Sequence, residues 1–143
     1  MKLIKDNRSF DEKQMFRWIK DLFFYCRSIT GNGNKLTINY IQKEINNFKT
    51  VSFKTGKKVF DWKIPQEWNI NDAYIQDENG KKYAEFKKNN LHILNYSVPV
   101  NKWINKEKLL ENIYTEDKDP NRIPYVTSYY HKRWGYCMSK KEK

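Results

Sequence analysis

The sequence predicts an α+β fold: N-terminal helices, then a small antiparallel β-module, then a short C-terminal helical segment. Apolar residues first recur at helical spacing, and after Asn47 they alternate with polar residues, as is typical of strands. Pro65, Pro99 and the turn pair Asn79-Gly80 then divide the second part into short pieces. These changes divide the 143 residues into helices (1–50), a β-rich module (51–122) and an aromatic segment with a charged tail (123–143).

The first helix begins at a capping-box signature, in which Ser9 is followed three residues later by Glu12. Gly31 is expected to end it in a left-handed conformation. The letters GNG around Gly31 could suggest a phosphate-binding loop, but the further glycine of that motif is missing. The apolar stripe of this helix consists of Met15, Trp18, Ile19, Leu22, Phe23, Cys26 and Ile29.

A second helix is predicted from Lys35 to Asn46, with Tyr40, Ile41 and Ile45 on its inward face. Thr37, Ile38 and the asparagines lower its intrinsic helix propensity, so packing has to stabilise it.

The β-module is predicted to contain strands at 49–56 and 57–65, a hairpin over 71–87, and a strand at 90–100. Asn79-Gly80 is expected to form the two-residue turn of the hairpin. Six aromatic residues are expected to supply the core of the module: Phe60, Trp62, Trp68, Tyr74, Phe86 and Tyr96.

A short helix is predicted from Lys106 to Ile113, followed by a polar loop over 115–124. The segment 125–137, YVTSYYHKRWGYC, is expected to begin extended and to turn through a short helix that ends at Gly135.

The net charge of +11 invites a nucleic-acid interpretation, but the lysines are scattered along every segment and arginine is scarce. Nucleic-acid binding is therefore ranked below the other functions. The N-terminus has no apolar signal-peptide core, and the run LFFYC is too short to span a bilayer. We expect a cytoplasmic protein without a membrane partner, in which Cys26 and Cys137 are reduced and packed.

No metal or cofactor motif stands out in the sequence. His92 and His131 are the two histidines, and neither has a second ligand at a helical or hairpin spacing. A Gly-x-Ser-x-Gly nucleophile elbow is also missing. We therefore assign no catalytic residue, no metal ligand and no cofactor to this chain.

Three stretches carry a family resemblance: VFDWKIPQEWNINDAYIQDENGKK from Val59, NLHILNYSVPVN from Asn90, and IPYVTSYYHKRWGYCMS from Ile123. With the earlier RSITGNG, they resemble the N-terminal part of bacterial aminopeptidase-like proteins that are often encoded among polysaccharide-biosynthesis genes. The resemblance implies that the first helices belong to a zinc-aminopeptidase-like domain, into which a β-rich domain of unknown function is inserted. It also implies that the zinc ligands of complete members come later, on motifs that no residue here matches.

The resemblance therefore predicts a truncated N-terminal portion that is not catalytically active by itself. Its aromatic C-terminal surface would contact a missing catalytic half, or a second copy in a homo-oligomer. The alternative is a stand-alone module that binds a peptide, a glycan precursor or a partner subunit.

Five residues are the candidates for contact with a substrate. His92 and Tyr96 lie an even number of positions apart, so on the predicted strand they would share one sheet face. Arg133 could hold a carboxylate through its planar fork. Tyr129 and Trp134 flank it in the aromatic segment. Packing and hydrogen bonding within the fold is the competing interpretation for all five.

Overall fold

The computed structural model describes residues 11–28, 30–45, 47–129 and 131–143. In this part of the chain, two helices are followed by two small hairpins, a third helix and a last pair of strands, which confirms the α+β class. The helices are α1 (Glu12–Phe23), α2 (Asn32–Glu44) and α3 (Lys106–Leu110), with a 3-10 turn at Asn90–His92. The strands are β1 (Lys58–Val59), β2 (Trp62–Lys63), β3 (Ile75–Gln76), β4 (Lys82–Tyr83), β5 (Ile113–Tyr114) and β6 (Tyr136–Cys137).

Helix α1 is shorter than predicted. Asp11 caps its start by accepting a hydrogen bond from the Gln14 amide (2.7 Å), while the predicted cap Ser9 lies outside the described residues. The helix ends at Phe23, well before Gly31, and Gly31 instead forms the N-cap of α2. At φ +134°, a Cβ on Gly31 would lie 2.4 Å from the Trp68 carbonyl oxygen, so close packing against the β-module requires glycine here.

The two long helices are joined through one polar cluster. The Glu44 carboxylate accepts hydrogen bonds from the Arg17 guanidinium and the Trp18 indole, each at 2.9 Å. The Tyr40 hydroxyl donates to Asp21 at 2.6 Å. The face of α1 that carries Trp18 is thereby turned toward α2.

The first hairpin differs from the prediction. Strands β1 and β2 pair antiparallel, with Lys58 opposite Lys63, and both come from the stretch predicted as one strand. The stretch 49–56 forms no strand, because a turn at Gly56 (φ +79°) joins it directly to the hairpin. Phe60 lies at the tip with φ +53° and 91% exposure, so it is not part of any core.

The second hairpin confirms the prediction, except for its turn type. Strands β3 and β4 pair antiparallel, and the Asp77 amide donates to the Lys81 carbonyl at 3.0 Å. This hydrogen bond encloses residues 78–80, so the loop has three residues and not the predicted two. Within the loop, Gly80 takes a left-handed φ of +82°. The Asp77 carboxylate accepts from the Asn79 and Lys81 amides at 3.0 and 2.9 Å, and hydrogen bonding, first of all from Lys81, lowers its pKa.

Residues 90–100 do not form the predicted strand. After the 3-10 turn, Ile93 and Asn95 make only isolated bridges, to Tyr136 and Thr127 respectively. Tyr96 has φ +65°, which breaks the alternation of a strand. The expectation that His92 and Tyr96 share one sheet face is therefore wrong.

The core lies where this segment meets the C-terminal segment. Strand β6 pairs in parallel with β5. The segment 125–137 was predicted to turn through a short helix before Gly135, but its described residues contain no helix. Of the aromatics expected in the core, Phe60, Trp62 and Tyr74 are exposed, while Trp68, Phe86 and Tyr96 are half-buried. Within the described ranges, the buried apolar residues are Ile93, Leu94, Cys137 and Met138.

No helix among the described residues is long and apolar enough to cross a membrane.

Candidate functional site

An open cleft of about 760 Å³ lies between residues 67–76, 97–104 and 134–136. Its volume falls within the range that small-molecule sites occupy. One wall comes from the chain leading into β3, and the other from the loop before α3 together with the start of β6.

Aromatic side chains line this cleft on all of its walls. The Trp68 indole donates to the Ser97 carbonyl at 3.0 Å, which fixes its ring. The Tyr136 hydroxyl donates to the Tyr74 carbonyl at 2.8 Å and ties the C-terminal segment to the hairpin. Trp134 packs edge-on against Tyr136, with ring centroids 6.5 Å apart.

Trp103, also in the lining, is 74% exposed. An indole with so much area in water is unusual, because burying aromatic surface is favourable. It is the most accessible ring in the cleft.

The charged groups of the cleft are largely compensated by neighbouring groups. Glu67 forms an ion pair with Lys35 at 3.0 Å, and Asp72 forms one with Lys87 at 3.2 Å. The Lys102 ammonium lies 5.7 Å from the centre of the Trp134 ring, a cation–π distance. Uncharged amides complete the polar lining: Asn69, Asn71, Gln76 and Asn101.

A second aromatic cluster extends from the cleft toward the helices. Tyr96 stacks on Trp68 at 5.8 Å, and Tyr129 meets Tyr96 edge-on at 5.4 Å. The Tyr96 hydroxyl lies 3.1 Å from the Thr30 hydroxyl and accepts from the Thr30 amide at 3.3 Å. This cluster connects the β-module to the start of α2.

Of the five residues predicted from sequence to contact a substrate, Trp134 lines the cleft. Tyr96 and Tyr129 belong to the aromatic cluster next to it. Arg133 donates to the Thr127 carbonyl at 3.0 Å, and its guanidinium carbon lies 5.6 Å from the centre of the Tyr114 ring. The structure does not bring Arg133 into the cleft lining, and the substrate roles of these residues remain predictions.

His92 is buried away from the cleft. Its Nδ1 lies 2.9 Å from the Cys137 carbonyl oxygen, which fits the interpretation that this histidine packs and bonds within the fold. Near it, Glu142 accepts from the Ser139 amide (3.0 Å) and hydroxyl (2.8 Å), and the Ser139 amide contact is the main cause of its lowered pKa.

Neither thiol is activated. Burial raises the pKa of Cys137 to about 11, and burial also raises that of Cys26. A raised pKa keeps a thiol protonated near neutral pH, so it is a poor nucleophile. Among the described residues, no group of three or more His, Cys, Asp or Glu could hold a metal ion.

A different feature is the apolar face of α1 that points away from α2. Phe16, Ile19 and Phe23, which follow one another at helical spacing, are 58%, 63% and 66% exposed. Met15 and Phe24 extend this surface, which we call the α1 face. Contiguous exposed apolar surface of this kind typically marks an interaction site.

Trp103, Trp68 and Tyr74 were not among the residues predicted to contact a substrate. Trp103 follows Pro99 in a polar loop, NKWIN, where a tryptophan has no strand or helix face to pack on. That position is the one signal in the sequence that could have indicated an exposed ring.

Comparison with known proteins gives consistent results. Residues 67–143 match the model of a family described as "Domain of unknown function (DUF2172)". A Clostridium acetobutylicum protein, named for polysaccharide biosynthesis and an aminopeptidase-like domain, is 44% identical over 126 residues, covering 88% of this chain and 29% of that protein. A C. acetobutylicum crystal structure with the name of a peptidase superposes with a TM-score of 0.87 at 43% identity, covering 91% of this chain and 31% of the other. The chain thus spans less than a third of the length of these relatives.

Proposed function

Because the chain belongs to the DUF2172 family and resembles part of much longer relatives, we propose that it is a non-catalytic module of an aminopeptidase-like protein. In this proposal the module packs against an aminopeptidase-like domain, and the chemistry of peptide hydrolysis belongs to that domain. The names of the two C. acetobutylicum relatives support this setting, and most of each relative lies outside the matched region. A role in bacterial polysaccharide biosynthesis, in the cytoplasm, is part of the same proposal.

The observation that carries the proposal is the α1 face. Burying a phenylalanine or isoleucine side chain is worth about 1.5–3 kcal/mol, so leaving Phe16, Ile19 and Phe23 in water forgoes a substantial stabilisation. The opposite face of the same helix is already packed, since Trp18 bonds to Glu44 of α2. A second apolar surface on one helix therefore requires a second partner.

We propose the α1 face as the contact surface in place of the aromatic C-terminal segment. Residues 137–139 of that segment are buried within this chain, where Cys137 is fully enclosed. Among the described residues, five exposed large apolar side chains lie between Met15 and Phe24, whereas Tyr125 is the one in 123–143.

The proposal that this module is non-catalytic is supported by the hydrogen-bond partners and the protonation of its potentially reactive side chains. His92 is bonded to a carbonyl oxygen, both thiols have raised pKa values, and Arg133 is bonded to Thr127. Each of these side chains already has a structural partner or an unreactive protonation state.

The test is reconstitution in trans with the remaining portion of the 44% identical relative. The chain and that portion are co-expressed, and complexes are measured by size-exclusion chromatography with light scattering. We expect a one-to-one complex that Phe16→Asp weakens by about tenfold or more, because a carboxylate would be buried in the contact. Phe60→Asp, at a hairpin tip with 91% exposure, is the matched control and should leave the complex unchanged.

Two outcomes would contradict the proposal. One is that the two portions remain separate at micromolar concentrations. The other is that Phe16→Asp and Phe60→Asp bind equally well, which would exclude the α1 face as the contact.

A further inference from the structure

We infer that the cleft between residues 67–76, 97–104 and 134–136 is a binding site for a neutral oligosaccharide, with Trp103 and Trp134 as its stacking platforms. The inference does not rest on the proposed packing against an aminopeptidase-like domain. It rests on the exposed Trp103 indole, the half-buried Trp134 beside it in the lining, the uncharged amides and the ion-paired charges of the cleft.

The aromatic rings suit a sugar because the C–H face of a pyranose is apolar, whereas its edge carries hydroxyls. Trp103 offers an open indole face, since 74% of the residue is accessible. Trp134 is steadied by the edge-on contact with Tyr136, and Trp68 by its hydrogen bond to the Ser97 carbonyl. Rings that are held in place before binding lose little conformational entropy when a ligand stacks on them.

The polar lining matches sugar hydroxyls. A hydroxyl both donates and accepts, and so does a carboxamide, so Asn71, Gln76 and Asn101 can satisfy a sugar without any net charge. Asn69 is partly used, because its side-chain oxygen accepts from the Asn32 amide at 2.7 Å.

The charges argue against the other two classes of ligand. A peptide amino terminus seeks a carboxylate, and at Glu67 or Asp72 it would have to compete with the exposed ion pairs to Lys35 and Lys87. A nucleic acid requires a series of cations along its phosphates, and Lys102 is the one cationic side chain among the lining residues. A neutral ligand with apolar faces and hydroxyl edges is the class that remains.

The experiment titrates the full chain with cellohexaose, chitohexaose and maltohexaose, followed by tryptophan fluorescence and isothermal calorimetry. We expect saturable binding of at least one hexasaccharide, with a Kd of about 1 mM or tighter. Trp103→Ala should weaken that binding by about tenfold, because it removes the most accessible platform. Trp103 is mostly exposed, so this variant keeps its fold, which circular dichroism verifies.

Trp62→Ala is the matched control. Trp62 is 45% exposed on β2 and does not line the cleft, so its removal should leave the affinity unchanged. The inference is overturned if none of the three sugars binds at about 10 mM, or if Trp103→Ala and Trp62→Ala bind sugar equally. It is also overturned if a tetrapeptide or an oligonucleotide binds in the same assay with Trp103 dependence while the sugars do not. All of these measurements use the isolated chain, so a failure of reconstitution with the relative's remaining portion would leave them unaffected.

Discussion

Leu94→Ala tests whether the small core between residues 92–95 and 137–139 determines the stability of the module. Leu94 is completely buried, and its backbone amide donates to the Gly135 carbonyl at 3.0 Å. Truncation to alanine removes three carbon atoms but keeps that hydrogen bond. The loss is therefore the transfer free energy of the deleted atoms plus the cost of the cavity they leave.

Measured Leu→Ala changes at fully buried sites cost about 3–5 kcal/mol. Here we expect about 3 kcal/mol, the lower end, because the core has few fully buried apolar residues and can relax around the gap. A domain of this size is typically stable by about 5–15 kcal/mol, so the loss would be a large fraction of its stability.

The assay is urea unfolding followed by tryptophan fluorescence, with the slope of the transition checked for constancy. Leu36→Ala is the matched control, since it deletes the same atoms from a leucine on α2 that is 49% exposed. Alanine also has the higher helix propensity, so we expect Leu36→Ala to cost about 1 kcal/mol or less. Equal losses for the two variants would refute the placement of the core.

Three further predictions concern residues 135–137, where the cleft lining meets the core. Gly135→Ala should destabilise by about 1–3 kcal/mol, because its Cβ would lie 2.9 Å from the Asn112 carbonyl oxygen; an unchanged Tm would contradict the close packing. Tyr136→Phe should cost about 1 kcal/mol in the same urea assay, because it removes the bond to the Tyr74 carbonyl; no loss would mean that this bond does not hold the cleft walls. Burial raises the pKa of Cys137 from 9.0 to about 11, so the folded state holds the thiol proton more tightly and stability should fall as pH rises from 9 to about 11. Cys137→Ala should flatten this fall by up to about 2–3 kcal/mol, and identical pH profiles would contradict the burial of the thiol.

The sequence predicted well the elements that local chemistry specifies. The hairpin of β3 and β4 forms because the Asp77 carboxylate binds two loop amides and Gly80 accepts a left-handed φ. Helix α2 lies within three residues of the predicted bounds, and helix α3 begins at the predicted Lys106 but ends at Leu110, because Ile113 belongs to β5.

Elements that depend on distant partners were not predicted. The parallel pairing of β5 with β6 joins Ile113 to Tyr136, and no local pattern reports which segment will lie alongside. Residues 92–95 are buried in succession, so their apolar character reflects enclosure on several sides and not the alternation of a strand. Tyr96 departs from the predicted strand through a local turn: its φ is +65°, and the Leu94 carbonyl accepts a hydrogen bond from the Ser97 amide.

For the candidate site, the aromatic density of the C-terminal segment pointed to Trp134, which lines the cleft, but not to Trp103, which lines it too. Density alone cannot distinguish rings that pack from rings that remain in water. Tyr136 and Tyr125 lie in one short segment, yet the first is half-buried with its hydroxyl bonded to the Tyr74 carbonyl, and the second is 61% exposed. The exposure of a ring depends on which distant segments pack around it, so the local sequence does not report it.

The two accessible apolar surfaces call for different partners because their polar surroundings differ. The α1 face has aliphatic and aromatic side chains in succession, and the cation beside it, Lys20, lies 4.8 Å over the Phe16 ring. Such a surface fits another protein surface, which can cover it and leave the ammonium group at the rim. The cleft is lined by both aromatic rings and amides, so a ligand there must make hydrogen bonds as well as apolar contacts. An oligosaccharide carries hydroxyls along its edges and apolar C–H faces between them, so it can make both kinds of contact. Under the two proposals, the α1 face would contact a partner protein and the cleft would bind a sugar.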